Sequence, residues 1–249
     1  MTMPNRTASV LLFLSLITLP LTLLAGGVIR TENFTYPLTS AGKFIVEEAN
    51  GTITISSSDR NEVGIIATKQ AESQADLDAI RIDIKQESDS IEVRTVYSSL
   101  GPHNGSVAYQ IVVPKNIAKL IAKTANGSVS TENVGGNVTL KSENGTITAI
   151  NLKGSFSLYT TNGSIKAVCA DLTGDAHLRS TNGSITLVLP RSADALVDAG
   201  TTVGRISSDL PANKSSGGIV GETLEAKLGA GAHHLEAKTT NGSIRLETR

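Results

Sequence analysis

The sequence predicts an all-β fold, and specifically a single-stranded β-solenoid (β-helix) with about 18–20 residues per coil, because one short motif recurs at a nearly constant interval. The motif is Asn-Gly, then Ser or Thr, then Ile or Val. Four regularly spaced copies begin at Asn126, Asn144, Asn162 and Asn182, so the steps are 18, 18 and 20 residues. A further copy begins at Asn241. A repeat of this length is typical of stacked coils, each of which needs its neighbours to complete a core.

Aliphatic side chains recur at fixed distances from each of these asparagines, which is the second observation. Positions six and four residues before the asparagine share one face of a strand, because strand side chains alternate. The position three residues after it begins a second inward face. These core columns hold Leu120, Val138, Phe156, Ala176 and Leu235; Ala122, Leu140, Leu158, Leu178 and Ala237; and Val129, Ile147, Ile165, Ile185 and Ile244.

A column of hydroxyl residues, two positions before each asparagine, is the third observation. Its members are Thr124, Ser142, Thr160, Ser180, Thr201 and Thr239. We expect each hydroxyl to bond its equivalent one coil away and the asparagines to form an amide ladder, as in other in-register β-stacks. The turn glycine tolerates the positive φ that a sharp corner needs.

An antiparallel meander or barrel is the alternative architecture. Asn-Gly between two strands is also a strong hairpin signal, and such turns could alternate with turns at Gly136, Gly154 and Gly174. Identical residues at the coil period favour the solenoid, because they form ladders there, whereas a meander would pair each strand with a different one.

Residues 1–27 are predicted to be a signal peptide. The stretch from Val10 to Leu24 is nearly all apolar, Arg6 precedes it, and Ala25-Gly26-Gly27 supplies the small residues of a cleavage site. The uncharged run at residues 7–29 is also long enough to remain as a membrane anchor. Either outcome predicts an exported protein: periplasmic, on the cell surface or secreted, and membrane-anchored if the segment is not cleaved.

Residues 28–117 are predicted to form an N-terminal β-rich cap and the first coil. Two strands joined by Asn50-Gly51 precede a short helix for which Ser73 is the expected N-cap. Two further strand-like stretches, 91–97 and 109–113, follow, and Pro114 ends the second.

Residues 118–249 are predicted to form the regular coils. A degraded motif at Val203-Gly204-Arg205-Ile206 lacks the turn asparagine but keeps the aliphatic columns. Residues 209–218 are rich in Ser, Gly and Pro and are predicted to be a loop. The chain then returns to a last coil, so we expect Ile244 to have a neighbouring coil on one side only.

These motifs resemble those of a known family. The matching residues are Gly42-Lys43-Phe44, Asn50-Gly51-Thr52-Ile53, the stretch 109–114, the coils and the stretch 239–246. They are similar to the bacterial exported "putative adhesin" family of unknown function, whose members carry repeated Asn-Gly-Ser/Thr-Ile coils. The resemblance covers essentially all of the chain after residue 27. It implies a β-helical fold and no catalytic residue.

Composition bears on the class of function. The net charge is −1, so no basic excess points to nucleic acid as a partner. Only 3% of the residues are aromatic and Trp is absent, which suits a thin solenoid filled by aliphatic side chains better than a globular enzyme. Cys169 is the only cysteine, so no intrachain disulfide can form, and we expect it to be a small core residue.

A β-helix can also be a polysaccharide lyase or hydrolase, which needs paired carboxylates or a base beside an arginine. Glu132 and Glu143 fall near one corner, and Asp171 and Asp175 near another, but not in one column. We therefore predict a solvated surface there. Two or more carboxylates within about 5–10 Å on an outer face would instead favour an enzyme.

The histidines do not suggest a metal site. His233 and His234 are adjacent on a strand, so their rings should point in opposite directions. His103 and His177 are isolated in the sequence. No cofactor or metal is predicted.

The position three residues before each asparagine lies between two inward columns and should point outward. It holds Lys123, Lys141, Tyr159, Arg179 and Lys238, which we call the stripe. In stacked coils these side chains would form a row with steps of about 4.8 Å. Such a row could follow an anionic glycan or a lipid surface. An ordinary solvated face, whose lysines discourage association between sheets, is the alternative, and Gly200 is expected to break the column.

The sequence as a whole predicts a non-enzymatic exported protein that acts as a cell-envelope scaffold or adhesin-like interaction surface. Its partner would be an envelope protein or an anionic glycan or lipid surface. A carbohydrate-active β-helix enzyme and a membrane-tethered envelope sensing domain are the alternatives.

Overall fold

A computed structural model describes residues 27–97, 105–216 and 221–249. Most of the predicted targeting segment and His103 lie outside these residues, so cleavage and export remain predictions. Within the described part of the chain, no helix is long and apolar enough to cross a membrane.

The described residues are almost wholly extended and contain one short helix. The elements are β1 (Val28–Pro37), β2 (Lys43–Asn50), β3 (Ile53–Ser58), β4 (Glu62–Ala71), α1 (Gln74–Ala79), β5 (Ile80–Glu87), β6 (Ser90–Tyr97), β7 (Gly105–Pro114), β8 (Asn116–Asn126), β9 (Val129–Glu132), β10 (Gly135–Asn144), β11 (Ile147–Asn162), β12 (Ile165–Asn182), β13 (Ile185–Leu189), β14 (Ala195–Val203), β15 (Ile206–Ser208), β16 (Ala212–Ser216), β17 (Glu222–Leu228), β18 (His233–Asn241) and β19 (Ile244–Thr248). The all-β prediction is confirmed. Ser73 caps α1 as predicted, since its Oγ accepts a hydrogen bond from the Asp76 backbone N–H at 3.2 Å.

The strands form two rows, and each Asn-Gly pair carries the chain from the first row to the second. The first row runs β6, β2, β8, β10, the second half of β11, the second half of β12, β18 and β14, all parallel. The second row runs β7, β3, β9, the first half of β11, the first half of β12, β13, β19 and β15, again parallel. The Asn-Gly pairs are therefore corners between parallel rows and not the hairpin turns of a meander.

Antiparallel strands cover the ends of the rows. At one end β5 pairs with β6, β4 pairs with β7, and β1 pairs with β4. At the other end β17 pairs with β14, and β16 pairs with β17. The predicted loop at residues 209–218 thus contains a strand, Ala212–Ser216. Its Ser-rich sequence suggested a turn, but its backbone groups pair with β17 and extend the cover over the parallel stack.

The coils do not follow one another in space as they do in the sequence. The coil formed by β18 and β19 lies between the β12–β13 coil and the β14–β15 coil. Ile244 is aligned with Ile185 on one side and with Ile206 on the other. The expectation that Ile244 has a neighbour on one side only was wrong, because the chain passes through β16 and β17 before β18 enters the stack.

The predicted core is confirmed, since none of the fifteen residues in the three aliphatic columns is more than 1% exposed. Burial of each Ile or Leu stabilises the fold by about 1.5–3 kcal/mol. Cys169 is fully buried among them, and burial raises the pKa of its thiol to about 11.

The corners are held by ladders between coils. Asn162 Nδ2 donates to Asn144 Oδ1 at 2.8 Å, and equivalent amide bonds link the other turn asparagines, so the predicted asparagine ladder is confirmed. The prediction that the hydroxyls bond one another was wrong, because they donate to backbone carbonyls. Thr160 Oγ1, for example, donates to the Gly145 carbonyl of the adjacent coil at 2.9 Å.

Glycine follows each of these asparagines because the coils approach closely. A Cβ on Gly163 would lie 2.1 Å from the Gly145 carbonyl oxygen, and one on Gly145 would lie 2.0 Å from that of Gly127. No heavy atom fits at such a distance. Close approach of the backbone, more than positive φ, therefore explains the repeated glycine.

Candidate functional site

The five stripe residues form one line of outward-pointing side chains that crosses the first row of strands. Across neighbouring strands, Lys123 is aligned with Lys141, Lys141 with Tyr159, Tyr159 with Arg179, and Arg179 with Lys238. The sequence suggested that Gly200 would interrupt this row. In the structure, Gly200 instead follows Lys238 at the end of the row. The difference arises from the insertion of β18 between β12 and β14.

Charge divides the stripe into two parts. Lys123 is aligned with Glu47 of β2, and its Nζ lies 2.8 Å from Glu47 Oε1. Both side chains are partly exposed, so this pair contributes little stability, at most about 1 kcal/mol. Its effect is to neutralise Lys123 at the surface.

The other four stripe residues line an open pocket with a volume of about 680 Å³, which we call the groove. The groove is lined by Lys141, Ser142, Tyr159, Thr160, Thr161, Arg179, Ser180, Thr181, Gly200, Thr201, Thr202, Thr223, Glu236, Lys238, Thr239 and Thr240. It crosses the strands from β10 to β17. Gly200 leaves a notch in its floor, because a Cβ there would meet only Lys238 Cε, at 3.9 Å.

An ion-pair cluster occupies the centre of the groove. Arg179 Nε and Nη2 donate to Glu236 Oε2 at 3.1 and 2.6 Å. Lys238 Nζ lies 3.1 Å from Glu236 Oε1 and 2.9 Å from Asp198 Oδ2. Glu236 is only 8% exposed. Burial opposes its ionisation, but the hydrogen bonds from Arg179 and Lys238 outweigh that effect and lower the pKa of Glu236 to about 2.

Lys141 and Tyr159 form the more open part of the groove. Among the stripe residues, all of which the structure describes, Lys141 is the cation with no carboxylate within ion-pair distance. Tyr159 is half-buried between Lys141 and Arg179. One aromatic face and one unpaired ammonium are therefore side by side.

A row of threonines runs along the same surface. Thr161, Thr181, Thr240 and Thr202 occupy the position just before each corner and are exposed. Thr223 of β17 is aligned with Gly200 and extends the lining beyond the notch. Each hydroxyl can donate and accept a hydrogen bond.

One carboxylate of the groove, Glu236, and a second carboxylate beside the groove, Asp198, lie within the distance that a glycoside hydrolase requires. Asp198 and Glu236 each lie within about 3 Å of the same Lys238 Nζ, so their contacting oxygens are at most about 6 Å apart. A hydrolase needs one of its pair protonated as a general acid, with a raised pKa. Glu236 has a lowered pKa, so it does not suit the part of that acid.

The histidines are closer together than the sequence suggested. The rings of His177 and His234 have centroids 6.2 Å apart, and His177 Nδ1 lies 3.6 Å from Glu236 Oε2. The two residues lie on β12 and β18, which are neighbours only because of the insertion. Within the described residues, no group of three or more His, Cys, Asp or Glu could hold a metal ion.

A buried polar network lies at the other end of the stack. Glu48 is 7% exposed and accepts hydrogen bonds from the hydroxyls of Thr95 and Tyr97 and, at 2.8 Å, from the Asn50 backbone N–H. Thr95 also bonds the Tyr109 hydroxyl at 2.7 Å. Burial and the nearby Glu48 raise the pKa of Tyr97. The network satisfies its own members and serves the core.

A second concavity, of about 730 Å³, lies on the outer face of β1, β4, β7 and β3. Ile66 and Val112 are exposed there, 42% and 38% respectively. Among the described residues that line it, no carboxylate is shared by two cations, whereas Glu236 in the groove is shared by Arg179 and Lys238. The groove is therefore the stronger candidate site.

The chain belongs to the Toastrack DUF4097 family, whose model matches residues 30–247. No curated protein is similar to it.

Solved structures similar to this chain include a "putative cell adhesion protein" from Clostridium sporogenes ATCC 15579. That protein has 13% sequence identity and a TM-score of 0.48, with 88% of this chain and 100% of the other chain covered. A "putative adhesin" from Bacteroides fragilis NCTC 9343 has 12% identity and a TM-score of 0.34, with 87% and 96% covered. One from Parabacteroides merdae ATCC 43184 has 9% identity and a TM-score of 0.34, with 87% and 95% covered.

Sequence reasoning missed Glu236 and Asp198 as parts of the site. Both lie five residues before a corner, in a column that also contains His177 and Ser157. Reading that column would have shown an outward position with charge. It would not have shown that Glu236 contacts Arg179, because this contact depends on the spatial order of the coils.

Proposed function

We propose that this chain is a non-catalytic exported β-solenoid that acts as an adhesin-like interaction module of the cell envelope, and that the groove is its binding surface. The observation that carries the proposal is the groove itself, a concave row of polar side chains that crosses successive coils. Stacked coils give a stiff scaffold on which such a row keeps a fixed spacing. Export rests on the apolar segment before Val28.

The chemistry of the groove supports binding more than catalysis. Its carboxylate, Glu236, contacts Arg179 and Lys238 and stays ionised down to low pH. Proton donation by a carboxylic acid at neutral pH needs the opposite shift. Rigid hydroxyls and ion pairs, in contrast, suit recognition.

Export is tested by the mass of the protein recovered outside the cytoplasm. The proposal predicts a chain that begins near Val28. Recovery only from the cytoplasm would contradict export, and an intact N-terminus in the membrane fraction would instead give the tethered form of the protein.

Binding is tested by co-sedimentation of the chain from residue 28 onward with a purified envelope fraction. Gly200→Trp fills the notch of the groove from an open position and is expected to abolish co-sedimentation with little change in melting temperature. Lys123→Ala, in the same row but outside the groove, is the matched control and should bind like the wild type. No co-sedimentation of the wild type, or equal binding by Gly200→Trp, would contradict the proposal.

A further inference from the structure

We infer that the ligand of the groove is a polysaccharide chain with few or no acidic groups, held by stacking on Tyr159 and by hydrogen bonds, and not a polyanion held by charge. This inference rests on the proposed function and specifies its ligand. It replaces the anionic partner that the stripe suggested in the sequence.

The cations of the stripe are largely neutralised by the protein's own carboxylates. Lys123 is paired with Glu47. Arg179 and Lys238 share Glu236, and Lys238 also contacts Asp198. A surface that binds a polyanion gains affinity by pairing free cations with the ligand and releasing counterions. Here an incoming polyanion would meet Glu236 and Asp198 beside the cations it needs.

The hydrogen-bonding groups of the groove match hydroxyls better than anions. An anionic group only accepts hydrogen bonds, so its site needs only donors. A sugar hydroxyl both donates and accepts. The groove offers donors on Arg179 and Lys238, acceptors on Glu236, and both on Thr181 and Thr240.

The geometry of the groove suits an extended chain of pyranose rings. Its exposed threonines lie on successive strands, which are about 4.8 Å apart, a step close to the length of one pyranose. Tyr159 lies two residues before Thr161 on the same strand face, with a flat apolar ring and a polar edge. The apolar face of a pyranose can stack on such a ring while its hydroxyls reach the neighbouring strands.

The concave shape argues against a lipid surface. The floor of the groove is formed by side chains such as Thr201 and by the notch at Gly200. A bilayer is flat over this distance, so its headgroups would contact the rim and leave the floor unused. A single glycan chain is narrow enough to enter.

The test is titration of the chain from residue 28 onward with defined probes, followed by NMR or calorimetry. The neutral probes are the hexamers of cellulose, chitin and xylan. The charged probes are oligogalacturonate, a heparin oligosaccharide and vesicles that contain phosphatidylglycerol. The inference predicts binding of at least one neutral hexamer, changed less than about twofold by salt up to 1 M, where the Debye length is only about 3 Å.

Three variants decide whether the binding uses the groove. Tyr159→Ala should weaken the neutral hexamer at least about tenfold, a loss of about 1.4 kcal/mol. Tyr159→Phe keeps the ring and should bind within about threefold of the wild type, because stacking carries most of the effect. Lys123→Ala lies outside the groove and should bind like the wild type. Melting temperatures of all three check that the fold is unchanged.

Several outcomes would overturn the inference. Binding confined to heparin or vesicles, with a steep salt dependence, would restore a polyanion or lipid ligand. Binding of neutral hexamers that survives Tyr159→Ala would place the sugar elsewhere. If no neutral hexamer binds while Gly200→Trp still abolishes co-sedimentation with the envelope fraction, the glycan is rejected and the proposed function stands. If the wild type itself does not co-sediment, the proposed function is rejected.

Discussion

The β18–β19 coil and the coil formed by the second half of β11 with the first half of β12 are built alike but reach their places differently. Both have an Asn-Gly corner, an aliphatic core and a place in the asparagine ladder. The β11–β12 coil stacks between its neighbours in the sequence, whereas the β18–β19 coil is inserted between two earlier strands, β12 and β14. The motif therefore determines how a coil is built but not where it lies.

This difference matters for the site, because the centre of the groove exists only through the insertion. Arg179 lies on β12, while Glu236 and Lys238 lie on β18 and Asp198 lies on β14. If the coils were stacked in sequence order, β14 would follow β12 directly. Arg179 would then be aligned with Gly200 and would lose the carboxylate that it now contacts.

The largest expected effect comes from a corner of the inserted coil. A Cβ at Gly242 would lie 2.2 Å from the Gly183 carbonyl oxygen. Gly242→Ala must push two coils apart, so we expect a loss of at least about 3 kcal/mol in the free energy of unfolding, measured by denaturant melts. Gly200→Ala, which meets only Lys238 Cε at 3.9 Å, is the control and should change stability by less than about 0.5 kcal/mol. Similar losses in the two variants would contradict the close approach of the corners.

The core positions give the next largest effect and compare the two coils directly. Ile165 is 1% exposed and Ile244 is fully buried, and both have a coil on either side. Ile165→Ala and Ile244→Ala should each cost about 2–5 kcal/mol, and by similar amounts. A clearly smaller loss for Ile244→Ala in urea melts would mean that the last coil in the sequence is also the last in space.

Acid stability reports on the ion pairs of the inserted coil. The folded-state pKa of Glu236 is lowered to about 2, so its contribution is present above the ordinary glutamate pKa of about 4.3 and is lost as the pH falls from there toward 2. We expect Glu236→Gln to remove up to about 3 kcal/mol of the wild-type stability change over this range. Glu47→Gln, at the exposed pair with Lys123, should remove much less. Identical acid profiles for wild type and Glu236→Gln would count against the cluster.

The asparagine ladder gives the smallest effect. Asn162 bonds a ladder neighbour on each side, whereas Asn241 bonds Asn182 on one side and is aligned with Val203 on the other. Asn162→Ala should therefore cost about 1 kcal/mol and Asn241→Ala about half as much. Thermal melts of both variants check the ratio, and a greater loss at Asn241 would contradict this position in the ladder.

The sequence predicted features that depend on local pattern. Alternation around each asparagine identified the buried columns, such as Leu158 and Ile165, because strand geometry determines which side chains point inward. The same alternation identified Tyr159 and Arg179 as outward neighbours. The asparagine ladder also followed, since identical residues at one period meet when coils stack in register.

Features that depend on the order of the coils could not be predicted in this way. Every coil carries nearly the same motif, so the motif does not encode which coil is the neighbour of which. The contact between Arg179 and Glu236, and the partial neutralisation of the groove's cations, depend on that order. Covering strands such as Ala212–Ser216 were also missed, because their composition is that of a loop and their pairing depends on the exposed edge beside them.

Methyl NOE spectroscopy of Ile185, Ile206 and Ile244 tests the insertion most directly, because it needs no change to the core. Neighbouring coils are about 4.8 Å apart and alternate coils about twice that. The structure predicts strong cross-peaks from Ile244 to both Ile185 and Ile206, and none of comparable strength between Ile185 and Ile206. A strong cross-peak between Ile185 and Ile206, with a weak one between Ile185 and Ile244, would show coils stacked in sequence order and would contradict the groove described above.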